Sequence, residues 1–305
     1  MRITETYTSC MHVHVRYHIY QPKVILRVKG VIQIHHGMGE HADRYDHFAS
    51  FLLNHGFVVV VSDFVGHGKS LIDFEQGYFG KENGVQNIVK DMFRLFEIIR
   101  EDYPDTPYFM LGVDIGSVFI RKFMSQYGDF IDGVLLLGTL AKIEHRHVQN
   151  GYLSIMKTVK GPVHRAQKLF KGLNTSWNRK LFKVSRGTHW LTSDSQERKR
   201  YHNDPLSYFA YTVQGYKDII QAIAEVNSDG CIQRIPYYLP IYIAEGEYDP
   251  LVKGVKQLVE KYKNKGIIDI TYHVFEKRRH ALLFEQNKKE IYFDILKWLE
   301  ERTYL

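Results

Sequence analysis

The sequence predicts an α/β fold: a mostly parallel central sheet with helices on both faces and a helical cap inserted before the last two strand–helix units. Three observations carry that prediction. Apolar runs of strand length, such as "FVVVVSD" at 57–63 and "GVLLLG" at 133–138, alternate with amphipathic stretches of helix length. Strands that are apolar throughout are those buried on both faces, as in a parallel sheet with helices on either side. The alternation stops at about residue 140 and resumes at "PIYIAEGEYD", 240–249, so the interval 141–235 reads as an insertion between 1–140 and 236–305. Finally, 305 residues with 44% apolar content suit one large domain, or a core with one inserted subdomain.

The elements follow in order. Residues 12–32 alternate as strands do, with Val13, Val15, Tyr17 and Ile19 on one face. His12, His14, Arg16 and His18 fall on the other, which reads as a solvated face rather than a metal site. "VIQIHHG" is a buried strand ending in a glycine turn. A helix at about 44–55 and the strand at 57–63 follow, then a helix at about 84–101, the strand "YFMLG" at 108–112 and a helix at about 116–127. After the insertion come the strand at 240–249, a helix at about 251–264, the strand "DITYHVFE" at 269–276 and a closing helix at about 286–301.

Charge is unevenly placed. The chain carries a formal +7, yet no Asp or Glu lies between Glu144 and Asp194, an interval with basic residues throughout, among them Lys168, Lys171, Lys180 and Lys183. Interleaved Leu, Phe and Trp suit an interfacial segment resting on anionic lipid, against the plainer reading of a solvated basic face. No aromatic stacking pattern or recognition helix accompanies the charge, so nucleic acid is not an expected partner. Two cysteines, Cys10 and Cys231, and the lack of an apolar leader or a membrane-length apolar stretch point to a cytoplasmic protein, with at most peripheral membrane contact.

Four motifs fall at strand ends. "HHGMGEH", 35–41, is a glycine turn able to aim backbone N–H groups into a cleft, as an oxyanion hole requires. "DFVGHGKS", 63–70, is a second tight turn. "LGVDIGS", 111–117, is a sharp strand-to-helix turn with Asp114 between Gly112 and Gly116. Asp249 and His280 each follow a late strand. Nucleophile, then acid, then histidine is the chain order of a triad in which histidine takes the nucleophile's proton while the acid fixes its tautomer.

With these motifs the chain resembles the monoglyceride lipase and lysophospholipase (serine aminopeptidase-like) branch of the α/β-hydrolases. "HHGMGEHADRY" is similar to that branch's H-G-x-x-E-H…R-Y signature, and "DFVGHGKS" to its D-x-x-G-H-G-x-S turn. "WLTSDSQERKRYHNDPLSY", 190–208, resembles its cap-exit segment, and "GEYDPLV" and "RRHALLFE" its last two motifs. The resemblance covers about residues 25–303. It implies an α/β-hydrolase fold, Asp249 as triad acid, His280 as triad base, and the N–H groups of Met38 and Ile115 as the oxyanion hole behind His36 and Gly37. It implies a carboxylic ester of an acyl lipid, or a small acyl ester, as substrate or ligand, with no cofactor and no metal.

One position departs from the pattern. The branch's G-H-S-M-G elbow reads Gly112-Val113-Asp114-Ile115-Gly116, a carboxylate where the resemblance puts the serine nucleophile. Ser117 lies past the second glycine, already on the helix. Three outcomes follow: a hydrolase in which water replaces the serine, a catalytically silent descendant that binds an acyl ligand or partner, or an aspartate-nucleophile enzyme of the dehalogenase or epoxide hydrolase kind. The last lacks a tryptophan after the elbow acid, where Ile115 stands, and the proline of an H-G-x-P turn. The cap tyrosines (Tyr152, Tyr201, Tyr208, Tyr211 and Tyr216) carry little weight among 21 in the chain.

Overall fold

The computed structural model describes residues 1–23, 28–72, 75–182 and 187–303. The chain runs through β1 (Arg2–Thr8), β2 (His14–Tyr20), β3 (Gly30–His35), α1 (Asp46–Asn54), β4 (Phe57–Ser62), α2 (Gly84–Asp102), β5 (Tyr108–Val113), α3 (Ile115–Tyr127) and β6 (Gly133–Leu137). Five helices follow: α4 (Arg146–Lys160), α5 (Gln167–Phe182), α6 (Ser195–Asn203), α7 (Val213–Val226) and α8 (Asp229–Gln233). The chain closes with β7 (Ile241–Gly246), α9 (Val255–Lys265), β8 (Ile270–Phe275) and α10 (Lys288–Glu300).

The eight strands form one sheet in the order β1-β2-β4-β3-β5-β6-β7-β8. β2 pairs antiparallel with β1 and β4, and every pairing from β4 to β8 is parallel. The period of two along each strand divides the core. Val58 and Val60 of β4 pack with α2, α3, α7 and α9, whereas Val59 and Val61 pack with α1 and α10. Both faces are therefore dry, which is why these strands read as unbroken apolar runs. This is the α/β-hydrolase fold, and all parallel strands deliver their carboxyl ends to one edge.

The first strands depart from expectation. β1 at residues 2–8 has no counterpart in the reading that begins at residue 12, and His12 lies in the turn before β2 with a positive φ of 59°. Of the face expected to be solvated, His12 and His14 are exposed; Arg16 and His18 are buried. Arg16 reaches Asp63 at 3.2 Å and Asp43 at 2.8 Å, and His18 Nε2 lies 3.0 Å from Asp43. The charged face is covered because the segment entering α1 folds across it. Local alternation cannot reveal such a tertiary ion-pair network. The helix expected at 44–55 also divides, into a 3₁₀ turn at 42–45 and α1.

The helices between β6 and β7 differ among themselves. α7 buries eight residues, including Tyr216, Ile219, Ile220 and Ile223. α4 buries only Leu153 and leaves Val148, Ile155 and Val159 more than 60% exposed (72%, 66% and 67%). Cys10 and Cys231 are both free thiols, Cys10 exposed and Cys231 buried. No helix among the described residues is long and apolar enough to cross a membrane.

Candidate active site

The elbow at the end of β5 is built by close approach of strand and helix. A Cβ on Gly112 would lie 2.5 Å from the backbone nitrogen of Ser117, and one on Gly116 would lie 2.4 Å from the carbonyl oxygen of His35. Only glycine permits both approaches. Between them Asp114 adopts φ 52° and ψ −117°, a conformation that costs a side-chain-bearing residue about 1–3 kcal/mol and persists only where its surroundings over-determine it. They do so here. Asp114 N–H donates to the Leu137 carbonyl at 2.9 Å, and its own carbonyl accepts from Ser117 N–H at 3.1 Å. The Ser117 hydroxyl, fully buried, also donates to that carbonyl and so is turned away from the cleft.

The side chains at the strand ends converge. His280 Nδ1 and Asp249 Oδ2 are 2.7 Å apart, a bond that places the Nδ1 proton toward the acid. The other Asp249 oxygen accepts from Leu251 N–H at 2.8 Å and fixes the turn after β7. His280 Nε2 is buried, finds no hydrogen-bond partner among the described residues, and lies 3.8 Å from Asp114 Oδ1, in ion-pair range but beyond a hydrogen bond. Burial alone would lower the His280 pKa, but the Asp249 carboxylate, assisted by Asp114, outweighs it and lifts the value to about 10.

The decisive contact lies on the other side of the elbow. Asp114 Oδ2 accepts the backbone N–H of Met38 at 2.9 Å. That N–H is the one the motif assigns to the oxyanion hole, and a carboxylate oxygen of the chain itself occupies it. Ile115 is the first residue of α3, so its N–H is one of the helix's orphan donors.

The turn that presents Met38 is held rigid by the residues of the H-G-x-x-E-H…R-Y signature itself. Glu40 Oε2 accepts from Gly37 N–H at 3.0 Å and from the Tyr45 hydroxyl at 2.7 Å, while Arg44 reaches Oε1 at 3.2 Å. Burial would raise the Glu40 pKa, but Arg44 and these donors bring it below the ordinary value. His36 spans the turn with Nδ1 at 2.9 Å from the Gly37 carbonyl and Nε2 accepting from Phe64 N–H at 3.0 Å. Burial lowers its pKa, in keeping with a neutral ring whose Nδ1–H donates. Two tyrosines from the segment between β6 and β7 also serve this turn: Tyr201 donates to the Met38 carbonyl at 3.1 Å, and Tyr211 accepts from Gly39 N–H at 3.1 Å. Nothing in their local sequence separated them from the other tyrosines.

The histidine loop is tied to the segment before α6. Ala281 N–H donates to the Leu191 carbonyl at 2.7 Å, and Glu285 accepts from Arg279 N–H at 2.8 Å and Ser193 N–H at 3.1 Å. The Trp190 ring lies 5.3 Å from that of His280. The "WLTSD" and "RRHALLFE" motifs are thus one joint, not two.

Above Asp114 and Met38 lies a cavity of about 140 Å³ walled by apolar side chains, among them Leu140, Leu173, Trp177, Ile219 and Ile223. Glu144, Lys180 and Lys253 also line it. Glu144 is bridged to both lysines, at 3.0 Å to Lys253, and their bonds bring its pKa down to about 2. Lys180 is therefore engaged at the cavity, whereas Lys168 and Lys171 stand exposed on α5. Lys183 lies outside the described residues. Among these, no group of three or more His, Cys, Asp or Glu is disposed to hold a metal ion.

The family model described as serine aminopeptidase, S33, matches residues 27–287. The chain belongs to that family. Within it, the chain is 26% identical to the monoglyceride lipase of Mus musculus over 283 residues, spanning 90% of this chain and 83% of that protein. It is 24% identical to the monoacylglycerol lipase of Mycolicibacterium smegmatis over 289 residues, 94% and 93% of the two chains. A thermostable carboxyl esterase from Bacillus coagulans, solved with glycerol, superposes with a TM-score of 0.88 at 25% identity, covering 99% of each chain. This S33 chain is thus a monoglyceride lipase- and esterase-like α/β-hydrolase in fold and sequence.

Proposed function

We propose that this S33 chain binds a single-chain acyl lipid or acyl ester in the cavity over Asp114, and that ester hydrolysis by the serine route is silent in it. One observation carries the reading: Asp114 Oδ2 sits on the Met38 N–H at 2.9 Å. An ester carbonyl needs that donor as charge develops on its oxygen, and the loss of one oxyanion donor alone costs about 10²–10³ in turnover. The high pKa of His280 acts in the same direction, since an imidazolium cannot accept a proton. In this reading Asp249 and His280 keep a triad's acid–base geometry without a serine to serve, and Met38 and Ile115 supply an oxyanion site closed from within. Residues 141–235 act as the cap on a core formed by 1–140 and 236–305.

The test is a panel of p-nitrophenyl and monoacylglycerol esters with wild type, Asp114→Ser and Asp114→Ala. Wild type and Asp114→Ala are expected to be near background. Asp114→Ser is expected to gain at least about 10³-fold, because every other part is in place. Efficient wild-type turnover would defeat the reading.

A second reading has an observation of its own. With Oδ2 anchored on Met38, Oδ1 accepts no hydrogen bond among the described residues, the disposition of a carboxylate able to attack a saturated carbon. Incubation with an alkyl epoxide, followed by peptide mass analysis, tests it. An alkyl ester on the Asp114 peptide supports it, and an unmodified peptide under saturating reagent defeats it.

The cap bears on where the protein works. The outward stripe of Val148, Ile155 and Val159 on α4 lies beside Lys157 and Lys160, within the interval free of Asp and Glu. Such a face suits peripheral contact between a cytoplasmic protein and an anionic membrane, placing the cavity near a lipid source.

A further inference from the structure

We infer that the acyl lipid of the cavity over Asp114 carries a phosphate head, seated in a basic groove that opens from the cavity wall at Lys142. The head-group assignment rests on the acyl-lipid reading above and deepens it.

The cavity and the groove share a wall. Lys142, Ile143, His145 and Ile223 line both. Inward of that wall, Leu140, Leu173, Trp177 and Ile219 offer apolar surface down to Asp114, which is only 7% exposed. Outward of it the groove encloses about 520 Å³ and adds Arg146 and His147.

Charge divides along the same line. The groove has no Asp or Glu among its described lining residues. The side chains of Lys142, His145, Arg146 and His147 make no hydrogen bond or ion pair among the described residues. A second groove, with Lys253 and Lys261 in its walls, meets the first at Lys142 and is likewise without acid. There Lys253 is bridged to Glu144 and Lys261 to Asp229, each at 3.0 Å, so Lys142 and Arg146 are the uncommitted cations. Two grooves elsewhere mix the signs. One sets Arg200 and Lys288 among Asp43, Asp46 and Asp204, and the other sets Lys81 and Lys122 against Glu82, Asp218 and Glu225. Single surface lysines are simply solvated, but cations gathered in one concave wall raise the local potential and draw an anion.

This polarity orients the ligand. Asp114 at the floor repels an anion, so the tail enters first and the head stays at the mouth. A phosphate monoester suits the groove, with a charge of about −1.5 to −2 near neutral pH and three acceptor oxygens. Arginine meets two such oxygens at once, and lysine adds a point charge. A choline or ethanolamine head would bring a cation to walls that offer it no acid. A glyceryl head is neutral and gains nothing from the charge. The ligand remains an acyl ester, because the phosphate sits on its alcohol portion.

The experiment titrates the full chain with 1-decanoylglycerol 3-phosphate, 1-decanoylglycerol and 1-decanoylglycerol 3-phosphocholine, each below its aggregation limit, and with inorganic phosphate. Calorimetry and the fluorescence of Trp177 report binding. The phosphate lipid is expected to bind at least about tenfold tighter than either other lipid. Inorganic phosphate, with no tail to bury, should bind at least about 100-fold more weakly than the phosphate lipid. Lys142→Gln with Arg146→Gln should bring the phosphate lipid within about twofold of 1-decanoylglycerol. Should that variant not fold, wild type in about 0.5 M salt decides: the preference shrinks at least about threefold, because screening weakens charge attraction and spares the tail. Equal affinity for the three lipids overturns the inference and leaves the acyl-lipid reading standing. So does a preference that survives both substitutions or high salt. Inorganic phosphate binding as tightly as the phosphate lipid would mean a free-phosphate site and overturns the inference too. No binding by any lipid removes the acyl-lipid reading and the inference together. Release of decanoate from any of the esters defeats only the silence of the site, and the affinity order is then taken from Asp114→Ala.

Discussion

The carboxyl edge of the sheet and the outer helix α4 are built on opposite principles. At the edge, each turn is fixed several times over: Asp114 by its backbone bonds to Leu137 and Ser117, Gly37 by Glu40, and His280 by Asp249. On α4, Leu153 is the only buried residue, and a row of aliphatic side chains faces outward. The glycines make the contrast measurable. A Cβ on Gly116 meets backbone at 2.4 Å, whereas one on Gly151 of α4 meets nothing within 4 Å. Geometry was held where atoms must meet within tenths of an ångström, and the outer helix was left to face its surroundings.

The largest expected effect is Gly116→Ala. Its methyl would collide with the His35 and His36 carbonyls, and neither rigid strand end can move aside. A loss of about 3 kcal/mol or more is expected in denaturant unfolding. A loss below about 1 kcal/mol would mean that the edge yields as readily as the cap.

Next comes the pH dependence of the edge. The folded pKa of His280, raised to about 10, lies above its ordinary value of 6.5. The stabilisation from its charged form is therefore fully present below pH 6.5 and is lost as pH rises toward 10. Asp114→Ser removes one of the two acids and should narrow that window. Thermal melts from pH 6 to 10 compare the two proteins, and parallel curves would mean that Asp114 does not hold the proton on His280.

The cap's expected effects are smaller. Lys168→Glu with Lys171→Glu should weaken co-sedimentation with phosphatidylserine vesicles by about 1 kcal/mol or more per residue and leave the melting temperature almost unchanged. Equal, negligible pelleting of wild type with anionic and neutral vesicles at low salt would leave the cap merely a solvated basic surface. Smallest of all, Gly151→Ala should stabilise by about 0.5–1 kcal/mol, since an exposed helix interior gains from alanine and nothing obstructs the methyl. Destabilisation there would reveal a constraint on the cap absent from its contacts.

What the sequence determined by itself is whatever has a short period or a short span. Apolar runs such as "FVVVVS" located the parallel strands, because a strand buried on both faces has no polar positions to spare. Gly112, Gly116 and the acid between them marked the elbow, because only such a turn needs two glycines four residues apart. The order of Asp114, Asp249 and His280 was legible for the same reason: each follows its own strand. What only the tertiary structure decided is where separate segments meet. Burial of Arg16 and His18 depends on Asp43 and Asp63, and the hold of Tyr201 and Tyr211 on the oxyanion turn spans more than 160 residues of chain. The position of each Asp114 oxygen is of the same kind. That a carboxylate stands at the elbow is a one-residue fact, but that Oδ2 lies on Met38 N–H while Oδ1 faces His280 depends on three strand ends converging, a relation no local pattern encodes.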